Sequence, residues 1–145
     1  MQITTAIPNE YPELLKIWES SVRATHDFLS EDDIQFYKSK MLSDFFPAVS
    51  LQCAKDNQEK ITGFIGLSEG NIEMLFIAPE HRGLGIGSML LNDAITHHQA
   101  SKVDVNEQNT QAIIFYEHMG FKTINRSALD SMSNPFPILH MQLSA

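Results

Sequence analysis

The stretch Ala78-Pro79-Glu80-His81-Arg82-Gly83-Leu84-Gly85-Ile86-Gly87-Ser88 restricts this chain more than any other. It follows the largely apolar run Ile72-Glu73-Met74-Leu75-Phe76-Ile77 and precedes a helical pattern with Met89, Leu90, Ala94 and Ile95 on one face. Glycines at alternate positions let the backbone curl so that successive N–H groups face one concavity. The helix that follows adds the positive end of its dipole. A strand-to-helix turn of this composition is an anion cradle, and Arg82 at its lip adds a charge-assisted contact to a phosphate.

Spacing separates the known users of such turns. A Walker loop requires a lysine directly after its last glycine, and none follows Gly87. A dinucleotide fingerprint requires a third glycine at position 88, which is Ser88, and too little chain follows for a doubly wound sheet. A turn that merely joins strand to helix needs one glycine, not three.

The flanking sequence predicts a mixed α/β fold. A short strand over Gln2–Ala6 precedes a helix with Tyr11, Leu14, Leu15, Trp18, Val22 and Thr25 on one face and Asn9 as its N-cap. Ser30 and Asp33 form a capping box for a second helix carrying Ile34, Tyr37, Met41 and Phe45, ended by Pro47. Alternation then marks a hairpin, Val49–Ala54 and Ile61–Leu67, with Cys53 on its apolar side. Residues 72–77 read as a strand buried on both faces, followed by a helix from about Gly85 to His98 and a strand over 102–105. A helix over 110–119 stops at Gly120, and strands over 121–125 and 137–143 finish the chain. The order is β-α-α-β-β-β-α-β-α-β-β, with no repeat or linker to divide it, so residues 1–145 are expected to form one domain.

Eighteen acidic against ten basic residues give a formal charge of −8, the wrong sign for a protein that neutralises nucleic-acid phosphates. The single cysteine, Cys53, forms no internal disulfide and no zinc site alone, which indicates a reducing compartment. No leader and no apolar run long enough to span a bilayer is visible, so the expectation is a soluble cytoplasmic protein.

The loop and a second segment together resemble the GCN5-related N-acetyltransferase (GNAT) family. The family's [QR]-x-x-G-x-[GA] signature is matched by Arg82-Gly83-Leu84-Gly85-Ile86-Gly87, preceded by Ile77-Ala78-Pro79. Its N-x-x-A-x-x-F-Y-x-x-x-G-F segment is matched by Asn109, Ala112, Phe115-Tyr116 and Gly120-Phe121. The stretch from Trp18 to Leu29, with Thr25-His26-Asp27-Phe28, is similar to a small bacterial subgroup of the family.

The resemblance implies an α/β fold of the GNAT type and transfer of an acetyl group from acetyl-CoA directly to an amine of a small molecule or protein, without metal. It assigns the pyrophosphate to the amides of Arg82, Gly83, Leu84, Gly85, Ile86, Gly87 and Ser88. The pantetheine arm falls to Leu75, Phe76 and Ile77, and Asn109 touches that arm, although N-capping of its own helix explains Asn109 equally well. Tyr116 matches the family tyrosine that protonates the departing thiolate, whose unperturbed pKa is about 8.5. Glu73 is the candidate base, directly or through water; His26 and His140 are others. The first two helices and last strands build the acceptor pocket in this fold, which places Trp18, His26 and Phe28 near the substrate. Ordinary core packing also explains Trp18 and Phe28.

The expected partners are acetyl-CoA and an amine, with no nucleic acid and no membrane, in a monomer or homodimer. An antibiotic, a polyamine, an amino acid and a protein N-terminus all fit as acceptor. The rival reading is a non-catalytic acyl-CoA-binding or sensing module.

Overall fold

A computed structural model describes residues 1–26 and 29–144. In chain order the elements are β1 (Gln2–Thr5), α1 (Tyr11–Thr25), α2 (Glu31–Lys40), β2 (Ser50–Lys55), β3 (Ile61–Ser68) and β4 (Asn71–Ile77), then α3 (Ile86–His98), β5 (Lys102–Asn106), α4 (Thr110–His118), β6 (Phe121–Ser127) and β7 (Ile138–Leu143). This is the order expected from the sequence. The strands form one mixed sheet, β1-β2-β3-β4-β5-β7-β6.

The first four strands are an antiparallel meander, and β5, β7 and β6 pair antiparallel as well. The parallel contact is β4 with β5, forced by the α3 crossover. It is confined to Asn71↔Lys102 and Ile72↔Val103. Strand β4 stays with β3 as far as Ile77↔Gly63 and therefore leaves β5 after its second residue. That divergence positions everything described below. It also overturns the expectation of a fully buried β4, since Met74, Leu75, Phe76 and Ile77 are only half-buried.

Two cores lie on opposite faces of the sheet. Leu14, Trp18 and Val22 of α1 pack with Phe46, Cys53 and Phe64 on one face. Leu90 and Leu91 of α3 pack with Ile65, Val103, Phe121 and Met141 on the other. Cys53 is fully buried, which pushes its thiol pKa up, away from reactivity.

The helix ends hold both agreements and corrections. Ser30 and Asp33 cap α2 reciprocally, at 3.1 and 3.0 Å. Asn9 does not cap α1, because Pro8–Glu10 forms a separate 3₁₀ turn and Glu10 stands at the helix entry. The Glu10 carboxylate instead accepts the Ile7 N–H and pairs with Lys55. Helix α2 stops at Lys40, and a π-helical turn over Met41–Phe45 precedes Pro47. Its wider ring, closed by Phe46 N–H to Met41 O at 2.8 Å, accompanies the burial of both Met41 and Phe46.

Gly63 permits the close approach of β3 to β4. A Cβ there would lie 2.6 Å from Ile77 Cδ1 and 3.0 Å from the Phe76 carbonyl oxygen. Gly63→Ala is therefore expected to destabilise the protein by about 1–3 kcal/mol, read as a lower denaturant midpoint with unchanged slope.

Candidate active site

The parting of β4 and β5 opens a cavity of about 480 Å³. Strand β4 forms one wall with residues 72–77 and β5 the other with residues 103–106. Because β4 loses its parallel partner beyond Ile72, its backbone polar groups on that side face the cavity rather than a ladder.

Glu73 sits where the strands separate. Ile72 pairs with Leu67 and Met74 with Gly66, so Glu73 is the extra residue of a bulge. Bulges re-aim side chains, and this one places an exposed carboxylate at the cavity wall. The carboxylate accepts a hydrogen bond from Asn71 Nδ2 at 2.9 Å. Glu73, Met74 and Phe76 also line a second cavity, of about 400 Å³. Trp18, Tyr37, Met41 and Phe45 give it apolar walls, and Ser131 and Met132 of the β6–β7 connection complete it. The Tyr37 hydroxyl holds that connection by donating to Asp130 at 3.3 Å. Burial and then the charge of Asp130 raise the Tyr37 pKa, so it remains a donor.

At the other end of the first cavity lies the glycine turn. Gly83 and Gly85 have φ of +78° and +80°, and a Cβ on either would meet nothing within 4 Å. The glycines are thus needed for backbone conformation over an open concavity, as an anion cradle requires. Gly87 departs from the expected curl. It lies inside α3 with ordinary helical φ, and its Cβ position is 3.6 Å from the Phe115 ring, so it sets the approach of α3 to α4. Arg82 is exposed at the cavity edge with no ion-pair partner among the described residues. Ile86 and Ser88 line the cavity too; the Leu84 side chain does not, being 67% exposed and directed to solvent.

Tyr116 of α4 is 6% exposed and lines the same cavity. Its ring packs against Phe115 and Phe121, with centroids 5.1 and 5.6 Å away. The hydroxyl makes no hydrogen bond to a described residue. Burial pushes the phenol pKa well above its ordinary value near 10, which keeps the proton on the oxygen.

Asn109 has both features weighed in the sequence. Its Oδ1 accepts the Ala112 N–H at 3.2 Å, capping α4, and its side chain lines the cavity. Its Nδ2 also donates to His26 Nε2 at 3.3 Å, tying the end of α1 to the start of α4. His26 Nδ1 then carries the ring proton toward Thr25 Oγ1 at 2.8 Å, because the Thr25 hydroxyl is itself spent on Ser21 O.

Leu75, Phe76, Ile77, the 82–88 turn, Asn109, Tyr116, Glu73 and His26 therefore share one cavity, apart from the Leu84 side chain. Trp18 lies on the second cavity while serving the core, at 5% exposure. Phe28 and Asp27 lie outside the described residues. Sequence reasoning missed Ser21, Thr25, His81, Asp104, Gln111 and Phe115 as lining groups. Helical spacing from Trp18 through Ser21 to Thr25 carried a signal for two of these. Nothing local marked Asp104, which is exposed to the cavity only because β5 loses its partner. Among the described residues no His, Cys, Asp and Glu cluster is placed to hold a metal, and no helix is long and apolar enough to cross a membrane.

Comparison with known proteins gives the family and the fold. Residues 48–123 match the acetyltransferase (GNAT) domain family model. The chain is 42% identical over 132 residues to the peptidyl-lysine N-acetyltransferase YjaB of Salmonella typhimurium, covering 91% of this chain and 90% of that one. The solution structure of apo-form YjaB from Escherichia coli superposes with a TM-score of 0.89 at 35% identity, over 99% of this chain and 97% of the other. The fold is shared with the PaiA N-acetyltransferase of Thermoplasma acidophilum in complex with coenzyme A, at a TM-score of 0.76, 19% identity and full coverage of both chains. A glycine cradle, a strand pair splayed beside it and a buried tyrosine between them thus occur here in a chain whose sequence and fold agree with the same relatives: it belongs to the GCN5-related N-acetyltransferase (GNAT) family and is an N-acetyltransferase.

Proposed function

We propose that the protein transfers the acetyl group of acetyl-CoA to the side-chain amine of a lysine in a protein or peptide, with residues 1–145 acting as one cytoplasmic catalytic domain. The observation that carries this reading is the placement of Tyr116, a protonated phenol in the cavity that also holds the cradle and the freed edge of β4. The amides of residues 82–88 and the Arg82 guanidinium hold the phosphates, and the β4 backbone at Leu75, Phe76 and Ile77 aligns the pantetheine arm. A freed β4 N–H stabilises charge developing on the thioester oxygen. Tyr116 delivers its proton to the sulfur as the thiolate leaves and recovers one from the amine nitrogen.

The second cavity is the acceptor side. Trp18, Met41, Phe45 and Phe76 sheathe an aliphatic stem, and Glu73, shared by both cavities, receives the ammonium at the stem's end. Glu73 takes the proton that the ammonium must lose before its lone pair can attack. A long apolar stem ending in a cation describes a lysine side chain, the acceptor named for the YjaB relative.

Two peptides test the acceptor class. One carries a lysine and a blocked N-terminus; the other has a free α-amine and arginine in place of lysine. Acetylation of the first and not the second is expected, and preference for the second would refute the lysine reading. Arg82→Ala is expected to weaken acetyl-CoA binding roughly tenfold, and to do so less at high salt, where its phosphate contact is screened. Titration calorimetry at two ionic strengths reads both effects.

A further inference from the structure

The acceptor cavity has walls of two kinds. Trp18, Tyr37, Met41, Val49 and Phe76 stand on segments anchored by buried neighbours: Val22 on α1, Ile34 on α2, Phe46 after the π-helical turn and Ile72 on β4. Ser131 and Met132 stand on the connection from β6 to β7, in which no residue from 128 to 137 is buried. A segment with so little buried apolar surface opens at low cost, so hydrogen bonds rather than burial fix where it stands.

Those bonds centre on one carboxylate. Asp130 Oδ1 accepts the N–H groups of Met132 at 2.9 Å and Asn134 at 2.8 Å, and Asp130 Oδ2 accepts Asn134 Nδ2 at 3.3 Å. The Asp130 N–H donates to Asn134 O at 3.1 Å and closes the turn, so Ser131 and Met132 are carried as one unit. The fourth donor to the carboxylate is the Tyr37 hydroxyl of α2, which ties that unit to the helical layer. Four donors occupy the carboxylate, which makes it the anchor of the turn rather than a partner for the acceptor's cation.

We propose that the hydrogen bond from Tyr37 to Asp130 determines which length of amine stem the acceptor cavity selects. The proposal rests on the lysine-acetylation reading above. Glu73, which receives the ammonium, is fixed by the β3–β4 bulge and by Asn71. The space left for the stem then depends on where Ser131 and Met132 stand, and the Tyr37 hydroxyl sets that by holding their turn against α2. Tyr37 is a positioning residue, because its hydroxyl is spent on Asp130 and acts through the turn. With the wall held in, the four-carbon stem of lysine fills the space and a stem one methylene shorter leaves a gap. With the wall released, the cavity no longer distinguishes them.

Two N-terminally blocked peptides that differ only in carrying lysine or ornithine read the selectivity. The parent is expected to favour lysine by about tenfold or more in kcat/KM, the worth of one methylene in a fitted apolar site. Tyr37→Phe keeps the ring and its edge contact with Phe36. It is expected to bring the ratio below about threefold through a higher KM for the lysine peptide, with KM for acetyl-CoA unchanged. Asp130→Ala removes the other end of the bond and is expected to do the same, and adding Tyr37→Phe to it should change nothing further. Trp18 is the only tryptophan and lines this cavity, so its fluorescence should become more open to acrylamide quenching in Tyr37→Phe. A parent indifferent to stem length, a ratio or a quenching left unchanged by Tyr37→Phe, or additive losses for the two substitutions would overturn the proposal. A parent that acetylates neither peptide would instead refute the acceptor reading, and the selectivity claim with it.

Discussion

Tyr116→Phe is expected to lower kcat by roughly 100- to 10,000-fold while leaving the KM for acetyl-CoA within about twofold of the parent. The substitution removes one oxygen and nothing else. The ring keeps its edge contacts with Phe115 and Phe121, and the lost hydroxyl has no described hydrogen-bond partner. Folding stability should therefore change by less than about 1 kcal/mol. What disappears is the proton for the leaving sulfur, an interaction made only as the bond breaks, so kcat and kcat/KM fall together. A linked effect appears in alkali. Burial raises the native phenol pKa above the unfolded value of about 10, so the native state keeps a proton that the unfolded chain releases. That contribution is intact below about pH 10 and is lost progressively above it. Tyr116→Phe should lack this part of the alkaline decline in stability, which denaturant titrations at stepped pH would reveal.

Gly85→Val is expected to be the most damaging change outside the catalytic groups. Gly85 has φ of +80°, a region where an ordinary side chain costs about 1–2 kcal/mol and a β-branched one costs more. Its Cβ would meet no atom, so crowding plays no part. The residue also caps α3, so relaxing φ to a negative value swings the first amides of the helix out of the cradle. Losing one or two charge-assisted contacts of about 1.5–3 kcal/mol each weakens acetyl-CoA binding roughly 10- to 10,000-fold. Gly87→Ala makes the contrast, because its Cβ makes an ordinary 3.6 Å contact with Phe115 at helical φ. It should bind acetyl-CoA nearly as the parent does. Equal losses at positions 85 and 87 would contradict the division of labour drawn between them.

These two residues show what the sequence made legible. Periodicity located the amphipathic strands and helices to within a few residues, because a solvated face sets the period; β3, buried from Ile61 to Leu67, was legible instead as an apolar run after the Asp56–Glu59 turn. The glycine turn was legible because left-handed backbone at Gly83 and Gly85 demands glycine. Tyr116 was legible through its motif neighbours Asn109, Ala112 and Phe115. Less visible was whatever depends on one strand leaving another. An apolar β4 reads as a buried strand, yet its outer residues line cavities, because pairing with β5 ends after Ile72. The bulge that aims Glu73 leaves no local mark for the same reason, since it is a property of the β3–β4 register. The bond from Tyr37 to Asp130 joins α2 to a connection distant in sequence. The misplaced cap at Asn9 was a competition between two polar neighbours, decided by Pro8 tightening the entry into a 3₁₀ turn.

The central claim is that acetyl-CoA lies in the opening between β4 and β5 with its phosphates on the glycine turn. Amide-resolved nuclear magnetic resonance on this 16.4 kDa chain, titrated with acetyl-CoA, tests it most directly. The largest shifts are expected at the amides of residues 82–88 and 73–77, with smaller ones at Asn109 and Tyr116. Saturable shifts centred elsewhere, on the β1–β2 edge or the outer face of α2, would contradict the assignment of this cleft as the site of acetyl transfer.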